Sequence, residues 1–367
     1  MLFLASLSFF VSLVSVLLVR RWFRRHAQNY AADMPQRFHL GAVPRLGGLG
    51  MLAGWVTGLT ATALVQRLGL FIGVSLDWST YLGLLGVVSL VVLVGAAEDA
   101  TQRVSVRWRL GLTGLAGCIA VAWMGVSVPR LGWPMLDVWW SAWPWLGMGL
   151  AVLAIMGLTH AFNIIDGYNG LAGSIAVMIG LALAHIALQV GDRELAALAI
   201  CLVASTLGFL FWNYPRGLIF AGDGGAYLWG GVIALVSILL VQRHPQVSPW
   251  FPVLLLIYPV WETLFSMYRK WVRGDSPGMA DALHLHQLIY RRLVRAMFDE
   301  DEAKDLLARN NRTAPYLMAL ALLSIGPAVF FWNNSWVLAG FTLLFVVTYV
   351  VAYLKIVRFK IPTWLKS

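Results

Sequence analysis

Acidic residues stand at the ends of four long apolar runs in this sequence. Glu98 and Asp99 form an adjacent pair, and Asp166, Asp223 and Asp281 follow at later run ends. Carboxylate oxygens are ligands that Mg²⁺ prefers, and this ion commonly takes one or two of them together with substrate phosphates. Such a set suits phosphoryl transfer, in which positioning and charge neutralisation supply most of the catalysis.

Glycine, arginine and histidine residues accompany the acids. Glycines on both sides of Asp223 would let the backbone approach a ligand closely. A basic group formed by Arg45, Arg107 and Arg109 could offset phosphate charge. Zinc fits less well, because two histidines at positions 284 and 286 do not share one helical face and no cysteine is near them.

The elements that carry these residues are expected to lie in a membrane. Of the 367 residues, 60% are hydrophobic and 12% are charged, whereas a soluble domain has about 25% charged residues. This composition excludes soluble multidomain proteins and predicts an all-α, polytopic integral membrane protein. About eleven stretches are long enough to span a bilayer. They are approximately 2–19, 47–65, 80–97, 109–127, 143–160, 172–190, 195–212, 226–241, 250–268, 314–332 and 336–354.

The basic residues predict the orientation, because Lys and Arg accumulate in cytoplasmic loops. With the N-terminus outside and the C-terminus in the cytoplasm, all but four of the 27 Lys and Arg residues lie inside. The exceptions are Arg67, Arg130, Arg193 and Arg243. This orientation places the acidic clusters on the cytoplasmic face. The net charge of +10 is then mostly a topology signal, and nucleic-acid binding is not expected.

Residues 1–367 are expected to form a single transmembrane domain with one substantial cytoplasmic loop at 269–313. The stretch DEDEAKDLLARNNR within that loop predicts a short, solvated amphipathic helix. Cys118 and Cys201 both fall in predicted spans, so neither a disulfide nor a metal site is indicated.

Each polar cluster could instead be a helix cap. For any one cluster this alternative is as good as a functional one. Four clusters on one predicted face, with none like them opposite, favour a shared site, since ionisable residues at the edge of a span are costly unless satisfied.

Taken together, the motifs resemble those of the polyprenyl-phosphate N-acetylhexosamine-1-phosphate transferase superfamily (glycosyltransferase family 4), and most of all its bacterial undecaprenyl-phosphate GlcNAc-1-phosphate transferases. FHLGAVPRLGG is similar to the first cytoplasmic loop of the family, and VGAAEDATQRVSVRWRL stands in place of its Asp-Asp pair. NIIDGYNGLAG, FWNYPRGLIFAGDGGA and GDSPGMADALHLHQ resemble its three later motifs. Five motifs in this order are far more specific than any one of them.

The resemblance implies a reaction in which the phosphate of undecaprenyl phosphate attacks the β-phosphorus of a UDP-sugar. UMP leaves, and a lipid-linked diphosphate sugar forms that initiates cell-surface glycan synthesis. It also implies a bacterial inner-membrane location with the site on the cytoplasmic face, and a homodimer is a candidate assembly.

The resemblance further implies a role for each matching residue. Mg²⁺ would be bound by Asp99 and Asp223, with Glu98 beside them as a metal ligand or a catalytic base. Near the sugar phosphate or the sugar would lie His284 and His286, which complete the catalytic candidates. The substrate-binding candidates are Asn163 and Asp166 at the ribose-phosphate, Gly167, Tyr168, Asn169 and Phe220 at the uracil, Arg107 or Arg109 at phosphate, and Asn213 and Asp281.

Several positions depart from the family pattern. Glu98 replaces the first Asp of the pair, Ala226 a hydroxyl residue, Ala282 an Arg, and Gln287 the last His. Positions 282 and 287 fall where the family would recognise the sugar and the lipid phosphate. The identity of the N-acetylhexosamine is therefore not predicted, and a deoxy derivative is a candidate. A membrane transporter or lipid flippase is the main alternative function, and a catalytically silent scaffold is a third.

Overall fold

The computed structural model describes residues 1–23, 43–68, 74, 76–274, 283–294 and 303–358, without the side chains of 293 and 303–306. Within these ranges the protein is helical and forms no strand, which confirms the all-α prediction. The helices are α1 (Leu2–Phe23), α2 (Gly47–Arg67), α3 (Trp78–Thr101), α4 (Val106–Met124), α5 (Pro134–Ser141), α6 (Pro144–Ile165), α7 (Leu171–Gln189), α8 (Arg193–Asn213), α9 (Gly222–Arg243), α10 (Trp250–Leu255), α11 (Ile257–Arg273), α12 (Leu285–Ile289), α13 (Ala303–Phe330) and α14 (Ser335–Val357). A π-helical turn, Tyr290–Val294, follows α12.

Nine helices in the described ranges are long and apolar enough to cross a membrane. They are α1, α2, α3, α6, α7, α8, α9, α14 and the part of α13 from Leu307 to Phe330. The span predicted at 109–127 corresponds to α4. The span predicted at 250–268 is divided at Leu256 into α10 and α11. Pro259 lies in the first turn of α11, where its missing N–H cannot bond back to Leu255 and so favours a break. The count of eleven spans and the orientation of the termini stay predictions.

Helix α9 is the centre of the bundle. The most apolar stretch of this helix is fully buried. The helix packs against α3 and α6, among others. A helix that is apolar all round is expected at the core. The first turn of α9, which begins at Gly222 and carries Asp223, is therefore held by the helices around it.

Helix α13 differs from the prediction for this part of the sequence. A short solvated helix at 299–312 and a separate span from 314 were expected, but from Ala303 onward the two form one continuous helix that runs through Pro315. Arg309 and Asn310 are buried. The prediction of a solvated surface element is wrong for this turn, because the side chains pack against other parts of the protein.

Candidate active site

Two segments distant in sequence pair beside the start of α9. The backbone N–H of Phe220 donates to the carbonyl of Pro44 at 2.8 Å, and Gly47 N donates back to Phe220 O at 3.0 Å. A third bond joins Gly48 N to Ala221 O at 3.0 Å. These bonds place Arg45 beside the first turn of α9, and Phe220 is fixed there through its backbone.

Asp99, near the end of α3, is bound to the first turn of α9. Its Oδ1 accepts from the backbone N–H of Asp223 at 3.0 Å, and its Oδ2 accepts from Gly224 N at 2.9 Å. The first N–H groups of a helix have no partner within the helix, and a carboxylate satisfies them while complementing the helix dipole. The structure thus brings together the two acids predicted to bind the metal.

The contact between Asp99 and α9 depends on Gly222. This glycine has a φ of +70°. A Cβ there would lie 1.8 Å from the carbonyl oxygen of Arg45 and 2.4 Å from Asp99 Oδ2. Both the left-handed backbone and the lack of space require glycine at this position.

Asp223 forms an ion pair with Arg109, from the first turn of α4. Both side chains are about one-fifth exposed, at 19% and 20%. The sequence left Arg107 and Arg109 as alternatives for neutralising phosphate. Two residues apart on a helix, they point in different directions; Arg107 is exposed, and it is Arg109 that contacts the acid.

Glu98 lies one residue before Asp99, but its carboxylate holds a turn. Its Oε2 accepts from the backbone N–H of Val104 at 2.7 Å, and its own carbonyl accepts from Gln102 N at 2.7 Å. These bonds close the connection between α3 and α4. This favours a positioning role for Glu98, through the placement of α4 and Arg109.

Asp166 follows the last turn of α6 in the same electrostatic environment. Burial raises its pKa to about 7; the negative charge of Asp223 adds to this rise, and the positive charge of Arg45 opposes it. Its backbone N–H donates to the carbonyl of Asn163 at 3.3 Å. Asn163 and Asp166 are both partly buried at this helix end.

Asn213 holds the glycine-rich loop, residues 166–170, against the segment before α9. Its Oδ1 accepts from Gly170 N at 2.7 Å, and its Nδ2 donates to Ile219 O at 2.9 Å. The side-chain oxygen and nitrogen are both used in these backbone contacts. The geometry therefore favours a supporting role for Asn213 over the substrate contact that was predicted.

Asn169 is held from the other side by α13. Its backbone N–H donates to Asn310 Oδ1 at 2.8 Å, and its Nδ2 donates to Asn311 Oδ1 at 3.2 Å. Asn311 in turn donates to the carbonyl of Pro215 at 2.8 Å. Asn169 is buried, and its amide nitrogen supports the loop. Asn310 and Asn311 were not predicted as part of the site, because a polar stretch does not indicate which of its residues will pack on a distant loop.

Aromatic and histidine rings join the glycine-rich loop to the segment around α12. Tyr168 stacks on Tyr290 at 5.4 Å between ring centroids and meets His286 edge to face at 5.6 Å. His286 lies so close to Gly167 that a Cβ there would be 2.9 Å from Nε2. The rings of His284 and His286 are nearly parallel, 5.2 Å apart and 8° between planes. His284 lies before α12 with an extended backbone. The two histidines are therefore not on one helix, and their spacing of two residues does not keep the rings apart as the sequence suggested.

Glu262 falls within the predicted span 250–268 and is not one of the catalytic candidates named from the sequence. In the structure it is fully buried and contacts His284. An ionisable residue within an apolar run is a functional candidate by default, and that signal was present. Asp281 lies outside the described residues.

A metal ion fits the acids at the start of α9 only with help from a substrate. Among the described residues, no group of three or more His, Cys, Asp or Glu side chains could hold a metal ion. The carboxylate of Asp99 does lie against the backbone N–H of Asp223, and each carboxylate oxygen has more than one acceptor position. Mg²⁺ commonly binds one or two carboxylates plus substrate phosphates, so this donor set fits it.

Residues 81–241 match the family model described as glycosyl transferase family 4. A relative from Bacillus subtilis, described as a probable undecaprenyl-phosphate N-acetylglucosaminyl 1-phosphate transferase, is 30% identical over 288 residues, which cover 76% of this chain and 75% of the relative. The chain belongs to glycosyl transferase family 4. The matched region carries Asp99, Arg109, Asp166 and Asp223, whereas Glu262 and the two histidines lie beyond it.

Two other relatives are similar over different lengths. An Escherichia coli protein described as an undecaprenyl-phosphate alpha-N-acetylglucosaminyl 1-phosphate transferase is 26% identical over 329 residues, which cover 86% of this chain and 82% of the relative. A Synechococcus protein described as a phospho-N-acetylmuramoyl-pentapeptide-transferase is 31% identical over 236 residues, 60% of this chain and 62% of the relative. This protein is thus similar to proteins described as N-acetylglucosaminyl 1-phosphate transferases and as a phospho-N-acetylmuramoyl-pentapeptide-transferase.

Proposed function

We propose that this protein transfers a sugar 1-phosphate from a UDP-sugar to undecaprenyl phosphate, with release of UMP. The observation that carries the proposal is the contact of Asp99 and Asp223 at the start of a buried helix, with Arg109 on the second acid. An acid pair with an arginine at the end of an apolar bundle suits a reaction between a lipid phosphate and a water-soluble diphosphate. The printed names of the relatives support undecaprenyl phosphate as acceptor and N-acetylglucosamine as the first sugar to test.

In this proposal, an oxygen of the lipid phosphate attacks the β-phosphorus of the nucleotide sugar. The bond from that phosphorus to the oxygen bridging it to the α-phosphate breaks, and UMP carries the oxygen away. Mg²⁺, bound by Asp223 and Asp99, would neutralise charge on the diphosphate.

The residues around the acids have distinct parts in the proposed reaction. Arg109 neutralises phosphate charge and keeps Asp223 in place. The glycine-rich loop receives the nucleotide, with Asp166 and Asn163 toward the ribose-phosphate. His284 and His286 lie at the sugar phosphate. Glu98 and Asn213 hold the backbone that positions these groups.

The testing experiment uses purified protein in detergent, Mg²⁺, undecaprenyl phosphate and a panel of UDP-sugars. UMP release that requires the lipid phosphate, together with the mass of the lipid product, identifies the reaction and the sugar. Undecaprenol without its phosphate is the matched control and should give no release. EDTA should stop the reaction, and added Mg²⁺ should restore it.

Two results would contradict the proposal. Accumulation of a substrate in vesicles without UMP release would favour the transporter. UMP release that continues in the absence of lipid would show a hydrolase instead of a transferase.

A further inference from the structure

Glu262 is a buried carboxylate to which the proposed reaction gives no part. It lies on α11 with no exposed surface. Its Oε1 lies 3.0 Å from His284 Nδ1 and accepts from Leu285 N at 3.1 Å, and its Oε2 accepts from the hydroxyl of Tyr349 at 2.5 Å. Burying a carboxylate is costly unless it is paired and hydrogen-bonded. Three polar groups from two other parts of the chain surround the carboxylate here.

The contact decides which nitrogen of His284 carries a proton. An ionised carboxylate can only accept, so Nδ1 must be the donor. In the neutral ring, Nε2 is then the nitrogen that carries the electron pair, and in the charged ring it is a second donor. The partner of one ring nitrogen sets the state of the other in this way.

The same contact fixes the plane of the ring. The ring of His284 lies parallel to that of His286, and His286 packs against Gly167 in the glycine-rich loop. A rotation of His284 would break the bond to Glu262 and the ring contact together. The hydroxyl of Tyr349, on α14, holds the other oxygen of Glu262 and so limits rotation of the carboxylate.

We propose that Glu262 is a positioning residue that fixes the tautomer and the orientation of His284, with Tyr349 holding Glu262 in turn. In the proposed function, this holds His284 in one orientation near the sugar phosphate. The kinetic part of this inference rests on the proposed function, whereas the tautomer is a property of the protein itself. The competing explanation is that Glu262 only caps the start of α12 through Leu285.

The first test reads the tautomer without any substrate. Protein with ¹⁵N-labelled histidine is compared in micelles by NMR, and the His284→Gln variant assigns the His284 signals. The wild type should show a protonated Nδ1, and Glu262→Ala should lose that preference. Glu194→Gln, which changes a glutamate that is paired with Arg243 near the start of α8, should leave the His284 signals unchanged. A wild type with a protonated Nε2 and a bare Nδ1 would overturn the proposal.

The second test separates positioning from capping by kinetics. Glu262→Ala should lower kcat by about tenfold or more, with little change in KM for the UDP-sugar. In a His284→Gln background the same change should cost almost nothing further, since coupled residues are not additive. Glu262→Gln, which keeps an acceptor and the side-chain shape, should retain more activity than Glu262→Ala.

The outcomes distinguish this inference from the proposed function. A wild type that releases no UMP with any sugar rejects the proposed function, while the NMR result still decides the tautomer. Equal losses from Glu262→Ala with and without His284 would overturn the positioning role. If Glu262→Ala does not fold, the double comparison is made with Glu262→Gln and with Tyr349→Phe.

Discussion

Asp99 accepts hydrogen bonds from the backbone N–H groups of Asp223 and Gly224, at 3.0 and 2.9 Å. One acid of the candidate site therefore caps the helix that carries the other. The two acids stay close because the Asp99 carboxylate, on α3, is bonded to the backbone of Asp223 and Gly224 on α9. A change at Asp99 therefore affects the placement of Asp223.

Removal of Asp99 should lower stability as well as activity. Asp99→Ala removes a helix cap, which costs about 1 kcal/mol, because it takes the acceptor from one buried and one partly buried N–H group. Thermal unfolding in detergent should show a clear decrease in Tm. Asp223→Ala is the comparison: its side chain is partly exposed and should lose activity at nearly unchanged Tm. Equal melting of the two variants would argue against the capping role.

Asp223→Asn should reduce kcat/KM for the UDP-sugar by about a hundredfold or more, because a charge is lost where phosphate charge must be neutralised. UMP release measures the effect. Glu194→Gln is the matched control. It makes the same carboxylate-to-amide change in another ion pair, between Glu194 near the start of α8 and Arg243, and it should retain full activity. Similar activity in both variants would remove Asp223 from the reacting centre.

Gly222→Ala should impair folding or greatly reduce the yield of folded protein. The left-handed backbone costs roughly 1–2 kcal/mol for a residue with a Cβ, and the new methyl group would overlap the carbonyl of Arg45. Gly157→Ala, in a helix where a Cβ meets nothing within 4 Å, is the matched control and should melt like the wild type. Size-exclusion chromatography and thermal unfolding compare them; a normally folded Gly222→Ala would show that the backbone there can move.

Asp166 predicts a pH dependence of stability. Its folded pKa is raised to about 7, above the unfolded value of about 4. The folded state therefore binds the proton more tightly, and stability should fall as the pH rises from about 4 to about 7. Asp166→Asn removes this ionisation. The measurement is made in EDTA and without substrate. As the pH increases from about 4 to about 7, the Tm of the variant should rise relative to that of the wild type. A difference in Tm that does not change with pH would contradict the raised pKa.

The bonds from α13 to the glycine-rich loop predict a local effect. Asn310→Ala should leave the N–H of Asn169 without its acceptor and loosen residues 166–170. Hydrogen exchange of that segment should become faster, and KM for the UDP-sugar should rise more than kcat falls. Asn334→Ala, at the N-terminal cap of α14, is the control and should leave exchange in the loop unchanged.

The sequence predicted the helical class, because the length and composition of apolar runs are local properties. The membership in the family is confirmed. The family resemblance paired Asp99 with Asp223; the structure places the Asp99 carboxylate on the backbone N–H of Asp223, and a metal shared by the two acids stays a prediction. The chemical roles of the individual side chains stay predictions.

What could not be predicted depends on contacts between distant segments. Asn169 and Asn213 have the residue types of substrate contacts, yet the amide of Asn169 donates to the side chain of Asn311 and the amide of Asn213 accepts from the backbone of Gly170. Glu98 has the charge of a metal ligand, yet it closes a turn. Only the folded arrangement decides whether a polar group faces a ligand or a neighbouring main chain.

Helix α14 has a largely exposed surface along its length, yet Tyr349 contacts Glu262 and the hydroxyl of Tyr353 donates to the carbonyl of Leu283 at 3.3 Å. A lipid-facing helix tilts when the thickness of the surrounding bilayer changes. Such a tilt would move the phenol groups that brace the histidine segment. The acyl-chain length of the lipid is therefore expected to affect the histidine segment through α14. The turnover rate should differ between short-chain and long-chain lipids.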